Sequence, residues 1–258
     1  MFDFGISTII KNDSDVFAAV EAVKESSFKF LEIRCEKGHF NHEDKEEIEK
    51  LKSILKKESL SGVSLHPPLW VDISNKEEWT RMKSVREVEK VILVAKRLNI
   101  PRVVLHPGQG NGDIEKSKES VSELAGFAEE WNVKLILENT FPDNFGSGID
   151  ELKIISNEFK LPVCIDTSHA SAKEDILARL LDVFEDRTVH LHLSDSMMEG
   201  TDDHMIPYEG KINWVPVLDF MRTHGGFAIF EVPYRGNPEI TGTLEKIKFQ
   251  WENEKICP

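Results

Sequence analysis

Nine side chains of metal-binding type recur at ordered places in this chain: His66, His106, Glu138, Asp166, His169, His192, Asp202, His204 and Glu231. Six of them sit at or near the ends of short apolar runs, in GVSLHPP, VVLHPG, LILENT, VCIDTSHA, VHLHLSD and IFEVP. His169 follows just beyond Asp166, while Asp202 and His204 share the stretch TDDHMIPYEG. Taken singly, each has an ordinary explanation, as a hydrogen-bonded structural histidine or a carboxylate capping a helix. The ensemble does not. Four carboxylates gathered in one place repel one another, and few Lys or Arg stand near these positions in the sequence. Bound cations would supply the counter-charge. Five imidazoles with four carboxylates suit zinc, or manganese, better than magnesium or calcium, which prefer all-oxygen shells. Ions held in this way can activate water and stabilise the oxygens of a phosphoryl group under attack.

Something must bring these residues together. Apolar runs alternate with amphipathic stretches eight times along the chain. The predicted strands are residues 2–6, 30–33, 63–66, 103–106, 135–138, 163–166, 189–193 and 228–231. Helical spacing is carried by Val16, Val20 and Val23, then by Ile48, Leu51 and Leu55 with Asn41 as their N-cap. Val85, Val88, Ile92 and Ala95 follow the same rule, as do Leu244, Ile247 and Trp251. Strand–helix alternation implies parallel strands with right-handed crossovers. The fold class is therefore α/β, a single-domain (β/α)8 TIM barrel over residues 1–258, close to the typical size of about 250 residues. Side chains alternate along a strand, so the layer beneath the nine residues holds Ser64, Val104, Ile136, Cys164, His190 and Ile229. Most of these are small or apolar, and the polar groups converge at one barrel end. The longest stretch without an element, 194–213, follows strand seven, where barrel loops carry function.

Composition sets further bounds. The chain is 40% hydrophobic and 30% charged, as expected of a globular protein with a sizeable core. No run approaches the ~20 apolar residues of a membrane span, and MFDFGISTII has no signal-peptide pattern. Cys35, Cys164 and Cys257 are odd in number and far apart, which favours a reducing cytoplasm. The net charge of −14 argues against a basic nucleic-acid surface. Three divalent cations would bring it only to about −8, yet would leave the pocket itself slightly positive. Nothing points to an obligate partner, so a monomer is expected.

HPG at His106, LENT at Glu138, CIDTSHA around Asp166, HLSD at His192 and DDHMIPYEG around His204 resemble the endonuclease IV family. This is the apurinic/apyrimidinic endonuclease group of the xylose-isomerase-like barrels. The similarity spans strands three to eight. It implies three zinc ions, one held by His66, His106 and Glu138. The second would be shared through Glu138 and completed by Asp166, His192 and Glu231, and the third held by His169, Asp202 and His204. It also implies cleavage of damaged DNA, or another phosphodiester, 5′ to an abasic site by a hydroxide bridging the metals, with Glu138 and Glu231 at the catalytic centre. Asp195 would orient a ligand histidine, or else cap a helix or turn.

The first two strands depart from that family. FDFGIST lacks its usual histidine, and Glu32 in FLEIRCEKGHF is closer to sugar isomerases and epimerases. Those relatives need one metal, on residues like Glu138, Asp166, His192 and Glu231, with the two glutamates moving a proton beside a carbonyl. A barrel that binds without catalysing is a third reading, opposed by the completeness of the motif. Phosphate contacts are expected from few residues: Arg34, Lys211 and Arg235, with Lys37 a further candidate. Trp70, Phe141, Tyr208 and Tyr234 are the aromatics that could fill the gap left by a lost base. His39, His42 and His224 are expected to be solvated, and His190 to be a satisfied core histidine.

Overall fold

The computed structural model describes residues 2–253. Its strands are β1 (Phe2–Ser7), β2 (Phe30–Arg34), β3 (Ser61–His66), β4 (Arg102–Leu105), β5 (Lys134–Glu138), β6 (Val163–Asp166), β7 (Thr188–Leu193) and β8 (Gly226–Phe230). All pair in parallel, in sequence order, and β8 returns to β1 through Phe2↔Gly226 to Ile6↔Phe230, closing the barrel. The apolar alternation thus becomes eight strands, each within two residues of its predicted bounds. His106 and Glu231 lie one residue past their strands. Gly5 is needed for closure, since a Cβ there would meet the Phe30 carbonyl oxygen at 2.8 Å.

The outer ring comprises α1 (Val16–Val23), α2 (Lys45–Lys57), α3 (Glu78–Leu98), α4 (Ile114–Glu130), α5 (Ile149–Phe159), α6 (Thr167–Ser171), α7 (Leu177–Val183), α8 (Val215–Thr223) and α9 (Ile240–Asn253). Helix α2 starts later than Asn41 suggests. Asp44 is its N-cap, accepting from the Glu46 and Glu47 amides, and Asn41 instead accepts from the Glu43 amide in the preceding turn. Glu77 and Asp113 cap α3 and α4 in the same way. The main core lies between helices and barrel, with Val85, Val88, Ile92 and Ala95 of α3 fully buried.

Inside the barrel, Val104, Ile136 and Cys164 form a separate small cluster. The same interior also holds Glu32, Ser64 and His190, all without solvent exposure. This polar group beneath the strand ends is not what a filled apolar barrel would contain.

Candidate metal centre

Each of β3, β5 and β6 delivers its last residue to the same end of the barrel, β4 and β8 deliver the residue after, and β7 adds His192. Glu138 is the hub. Its Oε2 lies 3.3 Å from Nε2 of both His66 and His106, and its Oε1 lies 2.9 Å from His192 Nδ1. His192 Nδ1 also faces Glu231 Oε2 at 2.7 Å and Asp166 Oδ2 at 3.8 Å. Beyond Asp166, Asp202 Oδ1 lies 3.5 Å from His169 Nε2 and 3.0 Å from His204 Nε2. Among the nine predicted residues, donor atoms within 4.8 Å of one another fall into three groups: His66, His106 and Glu138; Glu138, Asp166, His192 and Glu231; Asp166, His169 and His204; a fourth group, Cys164, His190 and His192, involves the barrel interior. All nine predicted residues are therefore brought together. The third group differs in detail from expectation, because Asp166 joins it and the half-exposed Asp202 touches it from the loop.

Backbone carbonyls orient three of the histidines. Nδ1 of His66 meets Pro67 O at 2.8 Å, Nδ1 of His169 meets Asn139 O at 3.0 Å, and Nδ1 of His204 meets Glu231 O at 3.1 Å. A carbonyl only accepts, so each Nδ1 carries the proton and each Nε2 is presented to the centre. The sequence reading missed the residues that fix these positions. Asn139 joins β5 to β6, accepting from the Asp166 amide and donating to Asp166 O. Thr167 joins β6 to β7 by donating to Ser194 O at 2.6 Å. Both stand inside the tracts ENT and DTSH, which were the available signal.

The electrostatics are those of a site short of cations. Burial favours neutral carboxyls, yet His192 and its neighbouring imidazoles hold Glu138 and Glu231 well below the usual carboxylate range. Burial raises Asp166 above its usual value. Burial opposes a charge on His169, but Asp166, Asp202 and Glu138 outweigh it and carry its pKa up to about 10. Several buried polar atoms here have no hydrogen-bond partner among the described residues: His106 Nε2, Glu138 Oε2 and Asp166 Oδ2. Orphaned donor atoms of this kind, converging on common points, fit cations.

A cavity of about 520 Å³ opens onto the centre, walled in part by Leu69, Gln109, Phe141 and Asn144. Arg34 lies at its base, buried, with Nη2 bound to Glu231 Oε1. A counter-charge therefore does reach the cluster, from a residue 197 positions away. Arg235 lines the mouth in the left-handed region (φ 45°) and donates to Asp203 O. Lys211 does not line the cavity; it is exposed and pairs with Glu199 at 3.0 Å. Asp195 touches no histidine of the cluster. Its carboxylate accepts from the Ser196, Tyr208 and Ile212 amides and from Trp214 Nε1, organising the loop that carries Asp202 and His204. His39 and His42 are buried rather than solvated. His39 bonds Ser14 O and Thr8 Oγ1, and His42 pairs with Glu87 at 3.0 Å. Tyr208 packs against Trp214 and Trp251 and accepts from Trp251 Nε1, so it is tied to α9.

Comparison with known proteins agrees with this architecture. An uncharacterized protein of Methanocaldococcus jannaschii is 29% identical over 254 residues, covering 95% of this chain and 97% of its own. A probable endonuclease 4 of Halothermothrix orenii is 29% identical over 191 residues, 64% of this chain and 68% of its own. The crystal structure of a D-tagatose 3-epimerase-like protein superposes with a TM-score of 0.85 at 22% identity, over 99% of this chain and 100% of that one. At that identity the likeness concerns the fold. No helix among the described residues is long and apolar enough to cross a membrane. The family model described as xylose isomerase-like TIM barrel matches residues 20–251, and with a closed eight-stranded parallel barrel behind that match the chain belongs to this family.

Proposed function

We propose that this protein is a metal-dependent phosphodiester hydrolase of the endonuclease IV kind, holding three zinc ions and cutting DNA 5′ to abasic sites. The observation that carries the reading is Glu138, which offers one oxygen to the His66–His106 pair and the other to the His192 group. A carboxylate placed between two donor sets suits adjacent ions, and a one-metal reading leaves His66, His106, Asp202 and His204 unexplained. Bound there, the ions would supply Lewis acidity and water acidified to a pKa of about 7.

The chain's own residues would do the rest. Glu138, Asp166, His192 and Glu231 would hold the central position, His66 and His106 one flank, and His169, Asp202 and His204 the other. Arg34 keeps Nε and Nη1 buried and without partners while lining the cavity, which suits a doubly donating contact to a phosphate oxygen. Arg235 at the mouth would reach a neighbouring phosphate. Leu69 is exposed and lines the cavity with His66, and Phe141 lines the wall near His169, whereas Trp70 lies outside the lining with its ring against Lys83. Apolar groups so placed could occupy the space of a missing base.

A second reading has its own support. Glu138, Asp166, His192 and Glu231 form a self-contained four-ligand group, which would serve a single-metal sugar isomerase or epimerase. A duplex oligonucleotide with one abasic site separates the two. Metal-dependent incision 5′ to the lesion is expected, and a metal count above one per chain. One ion per chain, with ketose–aldose or epimer interconversion in a sugar panel and no incision, would refute the hydrolase reading.

A further inference from the structure

Three of the cluster's histidines are oriented by backbone carbonyls and face the centre through Nε2. His192 is reversed. Its Nδ1 faces Glu138, Glu231 and Asp166, and its Nε2 points down into the barrel, where Glu32 Oε1 lies 3.0 Å away, though off the line of an aligned hydrogen bond. The other carboxylate oxygen of Glu32 accepts from Ser64 Oγ at 2.7 Å and lies 3.2 Å from His190 Nε2. Glu32, Ser64, His190 and His192 are all without solvent exposure.

We propose that Glu32 is a positioning residue for the metal centre: when an ion takes the place of the proton by which His192 Nδ1 bonds Glu138, the Glu32 carboxylate, bonded by Ser64 and 3.2 Å from His190, holds the remaining His192 proton on Nε2 and so leaves Nδ1 to the central ion. The inference rests on the metal reading above and extends it to a residue that touches no ion. Burying a carboxylate is costly unless it is paired. The neighbouring interior positions are filled by Val104, Ile136 and Cys164, of which only Cys164 also comes within 4.8 Å of donor atoms of His190 and His192, as a neutral thiol kept protonated by its burial. The part of Glu32 that faces the site touches only His192. A carboxylate behind a metal-bound imidazole fixes its tautomer and raises its basicity, and losing it commonly weakens metal binding about 10–100-fold. Among the described residues no other carboxylate is within ion-pair distance of His192 Nε2, whereas its Nδ1 has three such partners.

The test compares wild type with Glu32→Gln and Ser64→Ala, using Zn²⁺ alone with a competing chelator and counting bound ions. Histidine-selective nitrogen NMR on the zinc-loaded proteins reports which His192 nitrogen carries the proton. In Glu32→Gln, one ion should bind about 10–100-fold more weakly, the rest should be held as before, and the His192 signal should lose its Nε2–H signature. Ser64→Ala, a mild change expected to fold, should move both readouts in the same direction by less. Melting of the metal-free proteins distinguishes this role from a purely structural one, which would lower the melting point while leaving ion affinities equal. Unchanged affinity and an unchanged His192 signal in both variants would overturn the proposal while leaving the metal reading intact. Failure of wild type to bind Zn²⁺ would overturn both.

Discussion

Replacing Arg34 with Met tests whether the carboxylate cluster exists to hold cations. Met matches the length of the side chain but removes its charge. Arg34 is buried and pairs with the buried Glu231. Removing one member of a buried pair leaves an uncompensated charge, at a cost of about 3–5 kcal/mol. For 258 residues, an unfolding entropy near 2.1 cal/mol/K per residue turns that into a melting-point fall of about 5–10 °C. That figure applies to protein stripped with a chelator. With zinc bound, the ion would itself compensate Glu231, and the fall should be smaller. Zinc affinity should rise, because the ion no longer shares Glu231 with a guanidinium. Activity should move the other way. Arg34 lines the cavity, and its buried Nε and Nη1 have no hydrogen-bond partner among the described residues; a charge-assisted contact from the guanidinium to phosphate is worth about 1.5–3 kcal/mol, so kcat/KM should fall roughly 10- to 150-fold. Calorimetry of stripped and loaded samples, with zinc titration and incision kinetics, reads all of these. Equal melting-point losses in both samples would refute the reasoning, since they would mean that no cation reaches Glu231.

Loading the stripped protein with zinc near pH 8 should release protons. His169 is carried up to about 10 and His192 well above its usual value, so these two imidazoles must lose protons to bind metal. Calorimetric titrations in buffers of different ionisation enthalpy count them, and no release would contradict the assignment. Stripped protein should also lose stability at both pH extremes. The raised His169 contributes fully below its unfolded value of about 6.5, and that contribution disappears as pH rises through about 10. The lowered Glu138, Glu231 and Asp202 contribute above about pH 4 and lose that contribution as pH falls through their folded values. Denaturant midpoints across pH would show a plateau between the two, and a monotonic trend would count against it. In Gly210→Ala, the new Cβ would lie 2.3 Å from Asp195 Oδ1 and 2.6 Å from Ser196 O. The loop bearing Asp202 and His204 should shift at a cost of about 1–3 kcal/mol, and the ion at His169 and His204 should be lost first, as a metal count would show.

The strand-end residues were legible because period and position coincide. An apolar run that ends in His or a carboxylate can be recognised without coordinates, and a barrel delivers such ends to one face. Loop burial has no such period. His39 and His42 lie among polar neighbours in CEKGHFNHED, and only the folded chain reveals that His42 meets Glu87 of α3 and His39 meets Thr8. Asp195 follows the same rule. The family resemblance implied a role beside a histidine, whereas its partners Tyr208, Ile212 and Trp214 lie 13–19 residues downstream.

By itself, the sequence determined the barrel, the end at which chemistry is expected, and the kind of side chain gathered there, because these follow from periodicity and residue type. Tertiary structure decided which atom of each side chain faces which partner. It placed Arg34 on Glu231 and Glu32 beneath His192, and it gave Glu138 two faces. Such pairings depend on the register and stagger with which distant strands close, and short-range sequence patterns carry no information about either.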